Sequence, residues 1–437
     1  MSASEPAELR GEGTRRRATG TSSVSRSPIR VAGIGLAGLL LILWAATCSG
    51  GAGKAAPSAS AATSMAGATL TRIFCPGPAS PLTVDGGSSA GPGFSPTGSM
   101  TLVREFQGDR GDTAQPPATL LSDGRVLVAG GAGCAGILAS AELYDPASGT
   151  FRATDSLATP RSYRQSATLL ADGRVLIAGG DDGSRQLASA ELYDPKTDTF
   201  GPTGSMTSPR SGHTATLLAD GRVLIAGGAD GAGRLASAEL YDPKTGAFSP
   251  TGSMTTARFG HTATHLSDGR VLIAGGDDGS NYLASAELYD PETGTFSPAG
   301  SMTTARHGYT ATELSDGSVL FAGGTVGPAR LASAELYDPK TATFRATGPM
   351  TAARFGHTAT LLSDGRVLLT GGWRSGSDVL GSAELFDPKT GSFLAAGDMT
   401  MARAGHAAVR LADGRVLILG GQDATGGFSG SAELYAP

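Results

Sequence analysis

Charge, aromatic rings and cysteine are all scarce in this chain of 437 residues: charged residues make up 17%, aromatics 6%, and cysteine occurs three times. The formal net charge is −5, and past the first 30 residues no basic cluster stands out. That removes the electrostatic footprint of a nucleic-acid binder. No Ser-His-Asp order, metal-ligand spacing or phosphate loop is present, so neither a catalytic set, a cofactor nor a metal is expected. Tryptophan occurs twice, and one of the two lies in the single long apolar run.

Glycine is what the chain has in quantity, with 66 residues, and its arrangement is periodic. A Gly-Gly doublet starts at Gly130, Gly179, Gly227, Gly275, Gly323, Gly371 and Gly420, giving steps of 49, 48, 48, 48, 48 and 49 residues. A period of this size marks stacked supersecondary units, none able to bury its apolar face alone. One unit runs from Gly212-His213 through Ala219-Asp220-Gly221 and Arg222 to Gly228, then Leu235 to Asp242, Pro243 to Gly246, and Ala247 to Met254. It parses as four short strands, A to D. The Asp-Gly pair between A and B, from Asp123-Gly124 to Asp413-Gly414, predicts a type I′ hairpin. The Val-Leu-Ile-Ala run predicts a strand B covered on both faces. Strand A is rich in Thr and Ala, as suits the crowded centre of a ring. Strands C and D carry paired rings: Tyr193 with Phe200, Tyr241 with Phe248, Tyr289 with Phe296, Tyr337 with Phe344, and Phe386 with Phe393.

On these features the unit resembles the kelch repeat, which forms the blades of β-propellers. The resemblance covers about residues 93–437, with Phe where the family usually has Trp at the second aromatic. It implies an all-β, seven-bladed propeller. The last blade ends after Tyr435 without a strand D, whereas Gly93 to Met100 copies Ala247 to Met254 almost letter for letter. The spare segment is therefore expected to complete the last blade and close the ring, with Phe94 beside Tyr435, because an open edge is a liability.

Residues 1–30 carry Arg10, Arg15, Arg16, Arg17, Arg26 and Arg30, and residues 31–48 include an uncharged apolar run from Val31 to Thr47. Basic residues before such a run predict export of the chain beyond it. Three forms remain open: a retained anchor, a cleaved signal, and lipidation at Cys48. Residues 49–92 read as an Ala-, Gly-, Ser- and Pro-rich linker. Cys75 and Cys134 are candidates for a disulfide, since an exported compartment permits one. The expected setting is the cell envelope or outside the cell, with membrane contact through the N-terminal segment only and the propeller a monomer.

A–B and C–D turns should share one face of the ring, B–C loops and D–A connections the other. The B–C loops differ between repeats, and varied loops on a rigid frame are where recognition concentrates. Trp373, Tyr282 and Phe428 lie there as candidate stacking or anchoring rings. Arg161, Arg210, Arg258, Arg306, Arg354 and Arg403 precede strand A and admit two readings: a ring holding an anionic ligand at the channel mouth, or partners of the repeated strand-C glutamates such as Glu191 and Glu239. Their repetition favours the second. His213, His261, His357 and His406 share a place that Gln165 and Tyr309 fill in two other blades, which points to blade-to-blade hydrogen bonds rather than a metal ring. Asp181-Asp182 and Asp277-Asp278 read as solvated turns, and Arg110-Gly111-Asp112 lies in a lengthened first D–A connection. Protein binding through the varied face is the leading expectation, glycan binding the alternative. A galactose-oxidase-like enzyme comes third, without a recognisable copper site.

Overall fold

The computed structural model describes residues 93–104, 118–133, 136–162 and 164–437. The N-terminal segments, Cys48, Cys75, Cys134 and Arg110-Gly111-Asp112 lie outside the described residues. Among the described residues, no helix is long and apolar enough to cross a membrane.

Seven four-stranded antiparallel sheets are arranged as the blades of a propeller. The third blade is typical: strand A is Thr214–Leu217, B is Val223–Ala226, C is Ala238–Asp242 and D is Ala247–Pro250. The innermost strands touch their neighbours all the way round, so the ring is closed. The closing blade has the order Gly93–Thr97, Ala432–Ala436, Val416–Leu419, Ala407–Arg410. Phe94 lies opposite Tyr435, as the copied segment predicts, with ring centroids 4.9 Å apart.

The core lies between blades. Leu224 and Ala226 of the third blade's strand B pack with Val271, Ile273 and Tyr289 of the fourth. Val223 and Ile225, on the other face of the same strand, pack with Leu170, Leu176 and Met206 of the second. Alternate residues of a strand point to opposite faces, so a continuous apolar run serves two interfaces at once. Each fully buried Leu or Ile contributes about 1.5–3 kcal/mol. The Tyr and Phe of strands C and D are direct cross-strand partners, Tyr241 facing Phe248 at 4.8 Å. The tyrosine hydroxyl reaches the preceding blade, where Tyr241 meets Thr203 at 2.9 Å.

The A–B turns differ from the expected type I′. Only Arg164, Asp198 and Ala342 among described non-glycine residues have positive φ, so Asp220 does not, whereas Gly221 has φ 86°. The Gly221 N–H bonds to the Leu218 carbonyl, and the Leu218 N–H to Arg222. This is a three-residue loop whose last position is left-handed. The aspartate instead accepts the Arg222 backbone N–H at 2.9 Å and its Nε at 2.7 Å. That side-chain bonding holds the turn one residue longer than the Asp-Gly pair alone suggests.

Candidate functional site

The glycine doublets and the arginines before strand A together form the joint between blades. The Gly228 N–H of the third blade donates to the Arg258 carbonyl at 2.8 Å. The Arg258 guanidinium then enters the fourth blade, donating to the Gly275 carbonyl at 3.1 Å, the Ser285 carbonyl at 2.8 Å and Glu287 at 3.0 Å. Glycine is required at the doublet: Gly227 has φ 65°, and a Cβ there would lie 2.7 Å from both the Arg258 carbonyl and the His261 ring.

Arg161, Arg210, Arg258, Arg306, Arg354 and Arg403 are 0–1% exposed, and each meets a strand-C glutamate: Glu191, Glu239, Glu287, Glu335, Glu384 and Glu433. The anion-binding reading of these six is therefore corrected, because each guanidinium is enclosed in its own blade. A seventh, Arg104, makes the same bonds to Gly130, Ser140 and Glu142. It escapes a reading anchored on strand A because the first D–A connection is longer. Counting four residues on from Met100, as from Met206 to Arg210, finds it. Burial pulls the Arg104, Arg161, Arg354 and Arg403 pKa values down while the paired glutamate opposes it.

The histidines link blades as expected. Nε2 of His213 meets Ser166 at 2.9 Å, and that of His261 meets Thr214 at 3.1 Å. Tyr309 reaches Thr262 at 3.0 Å and Gln165 donates to the Ala129 carbonyl at 2.8 Å. Burial, helped by the neighbouring arginines, lowers His213, His261 and His357 to about 3. These imidazoles are neutral at pH 7.

Outside this shell lies a set of positions that change from blade to blade. The residue after each of six joint arginines bridges to the start of a B–C loop: Ser162 to Asp181, Ser211 to Ala229, Phe259 to Asp277, His307 to Thr325, Phe355 to Trp373, and Ala404 to Gln422. Trp373 is 5% exposed and packs on Phe355 with centroids 5.8 Å apart. Its ring is not presented for stacking on a ligand; it forms one wall of a 310 Å³ cavity between the last two B–C loops. Phe428 is half-buried beside Gln422. Tyr282 is 41% exposed and leans on His307. Asp182 turns on its own loop, its carboxyl held down to about 2 by the Ser184 hydroxyl and backbone N–H groups. Asp277 instead bonds Arg234 at 2.8 Å.

Around Phe259 the structure gathers residues that sequence reasoning missed. The Arg164 guanidinium lies 4.3 Å from the Phe259 ring centre and that of Arg234 lies 3.9 Å from it. Arg330 stacks likewise on Phe355 at 4.6 Å. Stacked guanidinium groups keep donors available while covering apolar surface. Beneath them, between the innermost strands, opens a cavity of about 370 Å³ lined by Arg164, Thr214, His261, Thr262, Tyr309 and Thr310 among others.

The chain matches the KLHDC2/KLHL20/DRC7 Kelch-repeats domain over residues 199–372 and the Kelch motif over residues 163–207. It is a kelch-repeat β-propeller. No curated protein matches this propeller in sequence. Among solved structures it is similar to a fungal alcohol oxidase of the AA5 family in complex with copper. The TM-score is 0.62 at 19% identity, covering 77% of this chain and 76% of that one. It is also similar to the structure of YjhT, with TM-score 0.51 and 16% identity over 63% of this chain and 95% of that one. Likeness at such identities concerns the fold alone. Among the described residues, no three His, Cys, Asp or Glu side chains converge as metal donors.

Proposed function

We propose that this kelch propeller is a protein-interaction scaffold that docks its partner on the face of the B–C loops and D–A connections. The observation that carries the reading is the contrast between the faces. Six of the seven A–B turns repeat one device, an arginine clasping the aspartate two residues before it, as in Arg222 with Asp220 and Arg270 with Asp268; the fifth blade has Ser318 in that place. Among the described residues the opposite face has no repeated surface device: its bridging positions carry Ser, Phe, His and Ala on one side and Asp, Ala, Thr, Trp and Gln on the other. Aromatic rings gather there, with Arg164 and Arg234 over Phe259 and Arg330 over Phe355, residue types enriched where interfaces hold their binding energy. Of the rings that could stack on a glycan, Trp373 is buried, which favours the protein-binding reading. The basic segment and apolar run of residues 1–48 support placing the ring outside the cytoplasm, in the envelope.

The test uses a photo-reactive amino acid at Tyr282 or at Glu292, two exposed positions on opposite faces of the fourth blade. Crosslinks to a cellular protein are expected from position 282 and not from 292. Equal yields, or yields from 292 alone, would reject the loop face as the docking surface.

A further inference from the structure

Strand D ends each four-stranded sheet at the rim of the ring. A sheet edge invites a further strand unless the residues on it oppose pairing. The two residues after the strand-D phenylalanine supply that opposition in six blades. Pro96, Pro202, Pro250 and Pro298 close four of the edges, and Arg152 and Arg345, one place earlier, put a charge on two more. The sixth blade has neither: its strand D, Ser392–Asp398, reads Ser-Phe-Leu-Ala-Ala-Gly-Asp. Leu394 is 55% exposed, above Leu102 at 43% and Tyr282 at 41%. The fourth blade isolates the difference. Its strand D, Thr295–Ser301, has the same length and the same shift of register against strand C, yet holds Ser297-Pro298 where the sixth has Leu394-Ala395.

Proline is placed on an edge where its missing N–H would point away from the sheet, so the N–H of the matching Ala395 points outward. The backbone of Phe393, two residues back, points the same way, as the Phe200 N–H does in the second blade, where it reaches Asp155. Leu394, between them, lies opposite Leu385 of strand C. A second copy of this strand, turned antiparallel about Leu394, pairs Phe393 with Ala395 on both sides of a two-fold axis, each pair exchanging both N–H···O bonds. It sets Leu394 against the copy's Leu394 at the close spacing of a non-hydrogen-bonded pair. The charges suit this direction. Lys389 precedes the strand and Asp398 ends it, both exposed. Antiparallel pairing brings each lysine to the other copy's aspartate, whereas parallel pairing would set like charges together. The other blades hold Ser99, Ser156, Ser205, Ser253, Ser301 and Pro349 in the place of Asp398. We infer that the outer edge of the sixth blade is a self-association surface, through which two copies of this chain join their four-stranded sheets into one. This replaces the monomeric ring that the sequence suggests, and it stands apart from the loop face. One paired edge is a small contact, so the dimer is weak and reversible, and covalent trapping suits it.

A diazirine analogue of leucine at position 394 of the full chain tests this, beside the same probe at position 297, the matching exposed place in the fourth blade. Irradiation in the producing cells should give a product of twice the chain's mass from position 394, linked within residues 390–398 of the second copy. Position 297 should give little, because Pro298 stays in place. Ala395→Pro should cut the yield from position 394 about tenfold, since it removes one N–H···O bond from each pair. It should melt like the parent, because Pro298 fits a strand of the same shape. Asp398→Lys should lower the yield, and Lys389→Glu in the same chain should restore it. Links to another protein in place of the second copy, links within one chain or elsewhere on the copy, equal yields from positions 394 and 297, or an unchanged yield in Ala395→Pro would each overturn the dimer. Should Ala395→Pro melt below the parent, the charge exchange decides in its place: a yield that Asp398→Lys leaves unchanged overturns the antiparallel pairing.

Discussion

Seven arginines on this ring occupy one register and an eighth does not, and they behave in opposite ways. Arg104, Arg161, Arg210, Arg258, Arg306, Arg354 and Arg403 are enclosed, each bound to a glutamate of the blade it enters. Arg164 sits in a register otherwise held by glycine, is half-buried, and lies over an aromatic ring at the channel mouth. The difference teaches how to read a duplicated sequence. What every blade repeats serves the joint between blades, and what one blade changes is released from that duty. The same holds for the two faces, one built from repeated Asp-Gly and Asp-Pro turns and the other edited blade by blade.

The comparison is broken most severely by removing the repeated parts. Deleting residues 93–100 strips the closing blade of its outer strand, the Phe94–Tyr435 contact and Met100 from the core. Cooperative melting, followed by circular dichroism, should collapse to well below the parent's temperature; a variant that melts like the parent would show that closure carries no stability. Arg258→Ala comes next. It leaves the Glu287 carboxylate, 2% exposed in the parent, with two backbone N–H donors and no counter-charge, a situation that costs about 3–5 kcal/mol. Tyr282→Ala, on the edited face, should stay within about 0.5 kcal/mol of the parent. Denaturant titrations that rank the two equally would erase the distinction between frame and face.

Much of the frame is legible in the residues. The period, the four strands, the covered strand B and the closing segment all come from patterns that every blade repeats, and repetition averages out local exceptions. The A–B turn is a different matter: an Asp-Gly pair admits two loop lengths, and the choice is made by the Asp220 carboxylate bonding Arg222. The site is less legible still. Trp373 reads as an exposed ring because it is the single tryptophan of the repeats, yet its neighbour Phe355, 18 residues earlier, buries it. Arg164 is visible as a single extra residue, but its partner Phe259 lies 95 residues on and is brought to it by ring geometry alone.

The histidine shell tests the boundary between the two classes, because it is repeated in most blades and edited in two. His213, His261 and His357 are held near 3 in the folded ring against an ordinary value of 6.5, chiefly by burial, with the adjacent arginines adding to it. Below pH 6.5 the unfolded chain takes up protons that the folded ring refuses until about pH 3. Stability is therefore complete above 6.5 and falls with pH across that window, by about 1.4 kcal/mol per pH unit for each such histidine. Gln165 already fills this place in the second blade and still reaches across to the Ala129 carbonyl of the first. His261→Gln should accordingly fold, remove one proton from the linkage, and lose about 2 kcal/mol less than the parent between pH 7 and pH 5 in denaturant titrations. Equal losses in the two proteins would mean that His261 accepts a proton without unfolding. The shell would then belong with the positions a ligand can reach, not with the frame.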